Sequence, residues 1–100
     1  MVTEGHVEVA GLRYDVVITD KLGLGEDWVG EIDYERLEIR LREVAPEKMR
    51  QTFCHELVHA IMASIGEMEH DEKFVEAFSQ GLYAVLKHNP DFIAKISGAD

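Results

Sequence analysis

The spacing of apolar side chains changes near residue 46, and this change limits the fold more than any other feature of the sequence. Before it, apolar and polar residues alternate, most strictly in residues 37–41 (LEIRL), which is typical of a strand with one buried face. After it, turn and capping residues bound two long helical stretches. Strands followed by helices predict an α+β fold. The length of 100 residues allows one small domain, which we place at 1–100.

Two hairpins are expected in the first half. Residues 7–9 and 12–19 are rich in β-branched and aromatic side chains, and Ala10-Gly11 between them is a typical turn. Residues 30–32 and 37–41 form the second pair, after a glycine-rich loop over 20–30. We therefore predict a small, mostly antiparallel sheet packed on the helices. The strand at 37–41 is expected at its edge, where an extended peptide could add to the sheet.

Capping residues mark the ends of the helices. A first helix is predicted over 46–65, with Gly66 as its C-terminal cap. Asp71 is a good N-cap for a second helix that reaches about residue 87. Asn89-Pro90 then ends this second helix, because a residue before proline disfavours helical backbone angles.

Composition excludes several functions. The 20 acidic and 10 basic side chains give a net charge of −10 at pH 7, without the cluster of Lys and Arg that a nucleic-acid surface needs. The same acidity disfavours docking on anionic membranes, and no apolar run approaches the roughly 20 residues of a membrane span. The single cysteine, Cys54, cannot form an internal disulfide, and residues 1–9 lack the features of a signal peptide. A cytoplasmic protein is predicted, with neither nucleic acid nor membrane as a partner.

The motif His55-Glu56-Leu57-Val58-His59 is the strongest indication of chemistry. Residues at i and i+4 share one face of a helix, roughly 6 Å apart along its axis, so both imidazoles can bind one zinc ion. Glu56 could take a proton from a water molecule activated by the metal and pass it to a leaving amine. The helix around the motif is apolar on most sides. Its three ionisable groups would therefore be poorly solvated, and a metal ion would offset that cost.

A third protein ligand is usual at a catalytic zinc site. Glu72 lies one residue into the second helix and Glu76 one turn later on the same face, which a helical hairpin would bring against the histidines. Two histidines and one glutamate would form a gluzincin-type site, and the other glutamate could accept a hydrogen bond from a ligand imidazole. His70 is a further alternative ligand. The residues alone leave this choice open, and such a donor set also suits iron or manganese.

The sequence resembles a small metallopeptidase family of bacteriophages and prophages, and in architecture it is similar to the minigluzincins and the ImmA/IrrE-type peptidases. The similarity covers most of the chain and is clearest in four segments: Thr52-Phe53-Cys54-His55-Glu56-Leu57-Val58-His59-Ala60-Ile61, His70-Asp71-Glu72, Gly81-Leu82 and Asn89-Pro90.

This resemblance implies a minimal zincin-like architecture and zinc-dependent hydrolysis of a peptide or protein substrate. It places the metal on His55, His59 and Glu72, with Glu56 as the general base, and ranks Glu76 second as the carboxylate ligand.

Two other functions remain open at this point. One is a zinc-stabilised, catalytically silent or latent phage regulatory domain, since little chain is left to build specificity pockets. The other is an interaction module without metal. A monomer or a weak dimer is expected, because an exposed strand edge could pair with a second copy.

Four side chains could donate a hydrogen bond to a developing oxyanion, although a structural role is expected for each: Tyr34, Tyr83, His6 and His88. Trp28 is expected to anchor the core or a loop.

Overall fold

The computed structural model describes residues 2–20, 22–23 and 28–98. Within these residues four strands precede three helices, so the predicted α+β class is confirmed. Part of the loop predicted over 20–30 lies outside the described residues. None of the described helices is both long and apolar enough to cross a membrane. The elements are β1 (Gly5–Val9), β2 (Leu12–Ile18), β3 (Gly30–Asp33), β4 (Glu38–Leu41), α1 (Pro46–Ser64), α2 (Glu72–His88) and α3 (Pro90–Ser97).

Both predicted hairpins form, and the sheet has the order β1-β2-β4-β3. The pairs β1–β2 and β3–β4 are antiparallel, whereas β2 and β4 are parallel. The sheet is therefore mixed, with two antiparallel pairings and one parallel pairing among the described strands. Ala10 and Gly11 have φ values of 51° and 84°, as a two-residue hairpin turn of the I′ type requires.

Strand β4 is an interior strand, so the prediction that residues 37–41 lie at the sheet edge is wrong. Ile39 and Leu41 are fully buried, and β4 pairs with a neighbour on each side. Strand β3 is the edge next to α1 and carries Glu31 and Asp33, in keeping with the charged side chains that protect sheet edges. Leu37 lies in the turn before β4, with a φ of 54°.

The core lies between one face of the sheet and helix α1. Tyr14, Val16, Ile39 and Leu41 point from the sheet towards Ala60 of α1. Fully burying a side chain such as Ile39 stabilises the fold by about 1.5–3 kcal/mol. This packing places α1 across β3 and β4 and leaves one side of the helix for α2.

Helices α1 and α2 form a hairpin joined by a loop over 65–71. The loop leaves α1 through Gly66, whose φ of 84° lies in the left-handed region that glycine adopts readily. The Asp71 side chain accepts hydrogen bonds from the backbone N–H groups of Lys73 and Phe74, so the predicted N-cap is confirmed. The loop therefore brings the first turn of α2 back against the histidine face of α1.

The other end of the hairpin is held by a clamp around Glu47, at the start of α1. Its carboxylate accepts hydrogen bonds from the Tyr83 hydroxyl at 2.8 Å, Arg50 Nη2 at 2.9 Å and Lys87 Nζ at 3.0 Å. Hydrogen bonds from Lys87, Tyr83 and Arg50 together lower the pKa of Glu47 to about 2. The clamp thus joins the beginning of α1 to the end of α2.

A second charged cluster ties β3 to β4 on the outer face of the sheet. Arg40 of β4 contacts Glu31 at 2.7 Å and Asp33 at 3.3 Å. Asp33 Oδ1 also accepts hydrogen bonds from the backbone N–H groups of Glu35 and Arg36 in the turn that follows β3. These contacts fix the turn that carries Tyr34.

Candidate metal centre

Three donor atoms from α1 and α2 converge at one point. His55 Nε2 and His59 Nε2 lie 3.2 Å apart, one helical turn from each other on α1. Glu72, the first residue of α2, places Oε2 at 3.3 Å from His55 Nε2 and Oε1 at 3.0 Å from His59 Nε2. His55, His59 and Glu72 therefore form a group that could hold a metal ion.

The remaining ring nitrogen of each histidine has its own partner. His55 Nδ1 lies 2.8 Å from Glu76 Oε2, and His59 Nδ1 lies 2.6 Å from His70 Nδ1. His70 Nε2 is in turn hydrogen-bonded to the backbone carbonyl oxygen of Glu67. Glu76 and His70, the alternative ligands suggested by the sequence, thus contact the outer sides of the two histidines instead of the point of convergence.

These partners decide where the imidazole protons lie. The Glu67 carbonyl can only accept, so a neutral His70 carries its proton on Nε2 and accepts a hydrogen bond on Nδ1. His59 therefore donates from Nδ1 to His70. The Glu76 carboxylate likewise accepts from His55 Nδ1. For neutral imidazoles, both Nε2 atoms are left without a proton.

With neutral imidazoles, the atoms that converge therefore offer one another lone pairs and no proton. Two bare Nε2 atoms and a carboxylate face one another within 3.3 Å, which is repulsive unless a cation lies between them. Burial lowers the pKa of His59, an effect that Glu72 opposes and that His55 and His70 reinforce, so protonation is disfavoured. Ligands about 2.0–2.1 Å from a tetrahedral zinc ion are about 3.3 Å apart. The donor set and its spacing fit zinc.

Glu56 lies next to this group with 6% of its surface exposed. Burial raises the pKa of its carboxyl to about 8, with smaller contributions from Glu72 and Glu31. The start of β3 covers it closely, since a Cβ atom at Gly30 would lie 3.3 Å from Glu56 Oε2 and 2.5 Å from Thr52 Cγ2. Only a glycine at position 30 lets the sheet edge approach α1 this closely.

Of the cavities that the described residues form at the centre, two border Glu56. The larger, of about 380 Å³, lies over the three donor atoms, and its walls include Ile32, Tyr34 and Met68. The smaller, of about 160 Å³, lies beside His55 towards the beginning of α1. Trp28 lines both cavities and is 48% exposed, so of the two roles expected for it, core anchor or loop anchor, the first is wrong.

Of the four hydrogen-bond donors considered for an oxyanion, Tyr34 is the one that lines the larger cavity. Its hydroxyl lies 3.5 Å from the His59 carbonyl oxygen. Burial, followed by the negative charge of Glu56, raises the pKa of Tyr34 to about 12, so its proton is retained at neutral pH. Tyr83 belongs to the Glu47 clamp, whereas His6 and His88 are exposed on β1 and at the end of α2.

Two features of the centre were not predicted from the sequence. Lys48 and Thr52 line the smaller cavity, and the spacing of positions 48, 52, 55 and 59 does place them on one face of α1. The position of Trp28 has no comparable signal, because the glycine-rich sequence over 20–30 has no periodic pattern of apolar residues.

Comparisons of the chain with protein-family models, with curated proteins and with solved structures found no match.

Proposed function

We propose that this protein is a zinc-dependent metallopeptidase that hydrolyses a peptide bond in a peptide or protein substrate. One observation carries the proposal, namely the convergence of two imidazole nitrogens and a carboxylate beside a buried carboxyl group. His55, His59 and Glu72 would hold the ion. When bound, zinc supplies a Lewis acid that polarises the scissile carbonyl and lowers the pKa of water.

Glu56 is the general base in this proposal. Burial raises its pKa to about 8, and the positive charge of a zinc ion bound beside it would lower that pKa and favour the carboxylate form that accepts a proton. Glu56 takes a proton from the water molecule whose oxygen forms a bond to the carbonyl carbon. It then passes that proton to the nitrogen of the leaving amine as the C–N bond breaks. Its position under the start of β3 limits access of bulk water and holds the carboxyl group beside the metal centre.

Tyr34 is the proposed hydrogen-bond donor to the carbonyl oxygen as that oxygen gains negative charge. It lines the cavity over the metal group and retains its proton at neutral pH. Such a donor stabilises the transition state more than the ground state, which is the condition for accelerating the reaction.

The substrate backbone is proposed to bind along the edge strand β3. Among the described strands, β3 pairs with β4 alone, so its other edge offers N–H and C=O groups beside the cavity. An extended peptide could pair with this edge and place a bond over the metal centre. This arrangement favours a peptide over a compact small molecule.

The test combines metal content with hydrolysis of a peptide mixture. We expect one zinc ion per chain, loss of zinc in His55→Ala and His59→Ala, and zinc retained without hydrolysis in Glu56→Gln. His88→Ala removes an exposed histidine outside the centre and serves as the matched control. Zinc binding without hydrolysis in the unaltered protein would favour the silent regulatory domain. Failure to bind any divalent metal would overturn the proposal.

We further propose a cytoplasmic location. Its support is the free, buried Cys54, which suits a reducing compartment.

A further inference from the structure

Helix α2 has apolar side chains on two faces, and the described part of the chain covers one of them. The residues that it buries lie on the side towards α1: Val75, Ser79 and Tyr83. Phe74, Phe78 and Val85 share a different face at helical spacing, here called the outer face, and each is about half exposed. The rings of Phe74 and Phe78 lie together, with centroids 5.6 Å apart. A helix that is apolar on most sides is normally buried on most sides, so the outer face is expected to meet a partner.

The outer face carries small residues and no charge. Between residues 74 and 86 the one charged residue is Glu76, in a chain of which 30% is charged, and Glu76 contacts His55 at the metal centre. Exposed small residues lie between the large apolar side chains: Ala77, Gly81 and Ala84. A Cβ atom at Gly81 would have no atom within 4 Å, so packing inside the chain does not require a glycine there. Small side chains at these positions let a second helix approach α2 closely.

Helix α3 presents further apolar side chains without a partner among the described residues. It has no buried residue, and α2 is the one described element that it contacts. Phe92 and Ile96, one helical turn apart, are 67% and 81% exposed. A helix of eight residues is marginal in water unless it packs on another surface. A partner that covers Phe92 and Ile96 would therefore stabilise α3.

The exposed apolar area is the amount that a dimer interface needs. Taking roughly 150–200 Å² for one large apolar side chain, the exposed parts of these residues of α2 and α3 amount to about 450–600 Å². A standard interface buries about 800 Å² on each partner, of which roughly 450–520 Å² is apolar. A second copy offers the same apolar area, so one two-fold contact would cover both copies.

The charges at the ends of α2 favour an antiparallel pairing of two copies. Asp71 and Glu72 lie at the start of the helix, whereas Lys87 and His88 lie in its last turn. In an antiparallel pair the acidic start of one helix lies beside the basic end of the other, and the two helix dipoles are also opposed. A parallel pair would bring like charges together. Since the outer face itself is uncharged, the net charge of −10 lies elsewhere on the molecule.

We infer that two copies of this chain associate about a two-fold axis near Gly81, with the outer faces of their α2 helices packed antiparallel. Phe78 of each copy then lies beside Val85 of the other, and α3 of each copy covers the start of the other α2. Each contact occurs twice, as a two-fold interface requires. Glu72 and Glu76 lie on another side of α2, towards the histidines, so the metal centre stays open. This inference does not depend on the proposed peptidase function.

The experiment measures the oligomeric state of the full chain by sedimentation velocity and light scattering, between about 1 μM and about 500 μM protein. We expect a dimer with a Kd in the micromolar range. Phe78→Glu places a carboxylate of each copy in the contact and should weaken association by about 100-fold or more. Leu12→Glu is the matched control, because Leu12 is a similarly exposed apolar residue on β2, and it should leave the Kd unchanged.

A second variant separates loss of the dimer from loss of the fold. Gly81→Glu has space within one copy and replaces glycine with a better helix former, so the single copy should resist urea at least as well as before while the dimer is lost. An unaltered protein that is monomeric throughout this range would overturn the inference. A dimer that survives both Phe78→Glu and Gly81→Glu would also overturn it, since another surface, such as the free edge of β3, would then hold the two copies together.

Discussion

The rings of His70 and His59 meet edge to edge, with their two Nδ1 atoms 2.6 Å apart and the ring centroids 4.9 Å apart. A loop residue is thereby the partner that orients a histidine of the candidate metal centre. His55 has a carboxylate in the corresponding position, from Glu76. The two imidazoles are thus held by outer partners of different charge.

Replacement of His70 by alanine should weaken zinc binding by about 10- to 100-fold, because His59 loses the acceptor that fixes its tautomer and ring orientation. His70→Asn should retain part of the affinity, since its amide oxygen can accept from His59. Competition titration with a zinc indicator measures the change, with His88→Ala as the control. Unchanged affinity in His70→Ala would contradict this role.

Gly30→Ala should destabilise the protein by about 1–3 kcal/mol, the usual cost of forcing an extra methyl group into a packed site. The added Cβ would lie 2.5 Å from Thr52 Cγ2 and 3.2 Å from Leu41 Cδ2. Urea denaturation measures the free energy of unfolding. Gly5→Ala is a matched control, because a Cβ at that position would have no atom within 4 Å.

A second substitution identifies the source of this strain. Thr52→Ser removes the methyl group that the new Cβ would meet, so the double variant Gly30→Ala/Thr52→Ser should recover part of the lost stability. If it recovers none, the contact with Thr52 is not the cause.

Glu47→Gln should reduce stability near neutral pH and have a diminishing effect in acid. The clamp lowers the pKa of Glu47 from 4.5 to about 2, so its contribution is complete above the unfolded value and is lost as pH falls towards 2. Urea midpoints at pH 7, 4 and 2.5, measured in a chelator to separate metal loss, test this. Glu8→Gln, an exposed substitution on β1, is the control. A difference between wild type and Glu47→Gln that stays constant across this range would refute the assignment.

Tyr34→Phe should lower kcat by about 10²- to 10³-fold if its hydroxyl stabilises the developing oxyanion. Zinc content should be unchanged, because Tyr34 is not among the three donors. Tyr83→Phe is the complementary control, since it removes a hydroxyl from the Glu47 clamp and should lower stability with kcat retained. Equal kcat values for Tyr34→Phe and the unaltered protein would exclude this catalytic role.

Local features of the fold could be predicted from the sequence. The turn at Ala10-Gly11 and the cap at Asp71 depend on a few neighbouring residues, and each formed where its residue types indicated. The prediction that residues 37–41 form an edge strand was wrong because alternation of apolar and polar residues indicates one buried face. It does not show how many strands pair with that segment. The parallel pairing of β2 with β4, which makes β4 interior, depends on sheet order instead.

The candidate metal centre also has one part that local sequence predicts and another part that depends on how the elements pack. Helical spacing alone places His55 and His59 together, whereas it puts Glu72 and Glu76 on one face without separating them. The approach of α2 brings Glu72 to the inner nitrogens and Glu76 to an outer one. The contact between His70 and His59 depends on the path of the loop over 65–71, which no periodic pattern describes.

With the Glu47 clamp at one end and the candidate metal centre at the other, α2 is held to α1 at both ends. Tyr83 and Lys87 fix one end, and the contacts of Glu72 with the histidines hold the other, about 16 Å from Tyr83 and about 22 Å from Lys87 along the helix. A small rotation of α2 about the clamp would displace Glu72, because the displacement grows with distance along the helix. The geometry of the candidate metal centre is thus set partly by residues that never touch it, at the far end of the same helix.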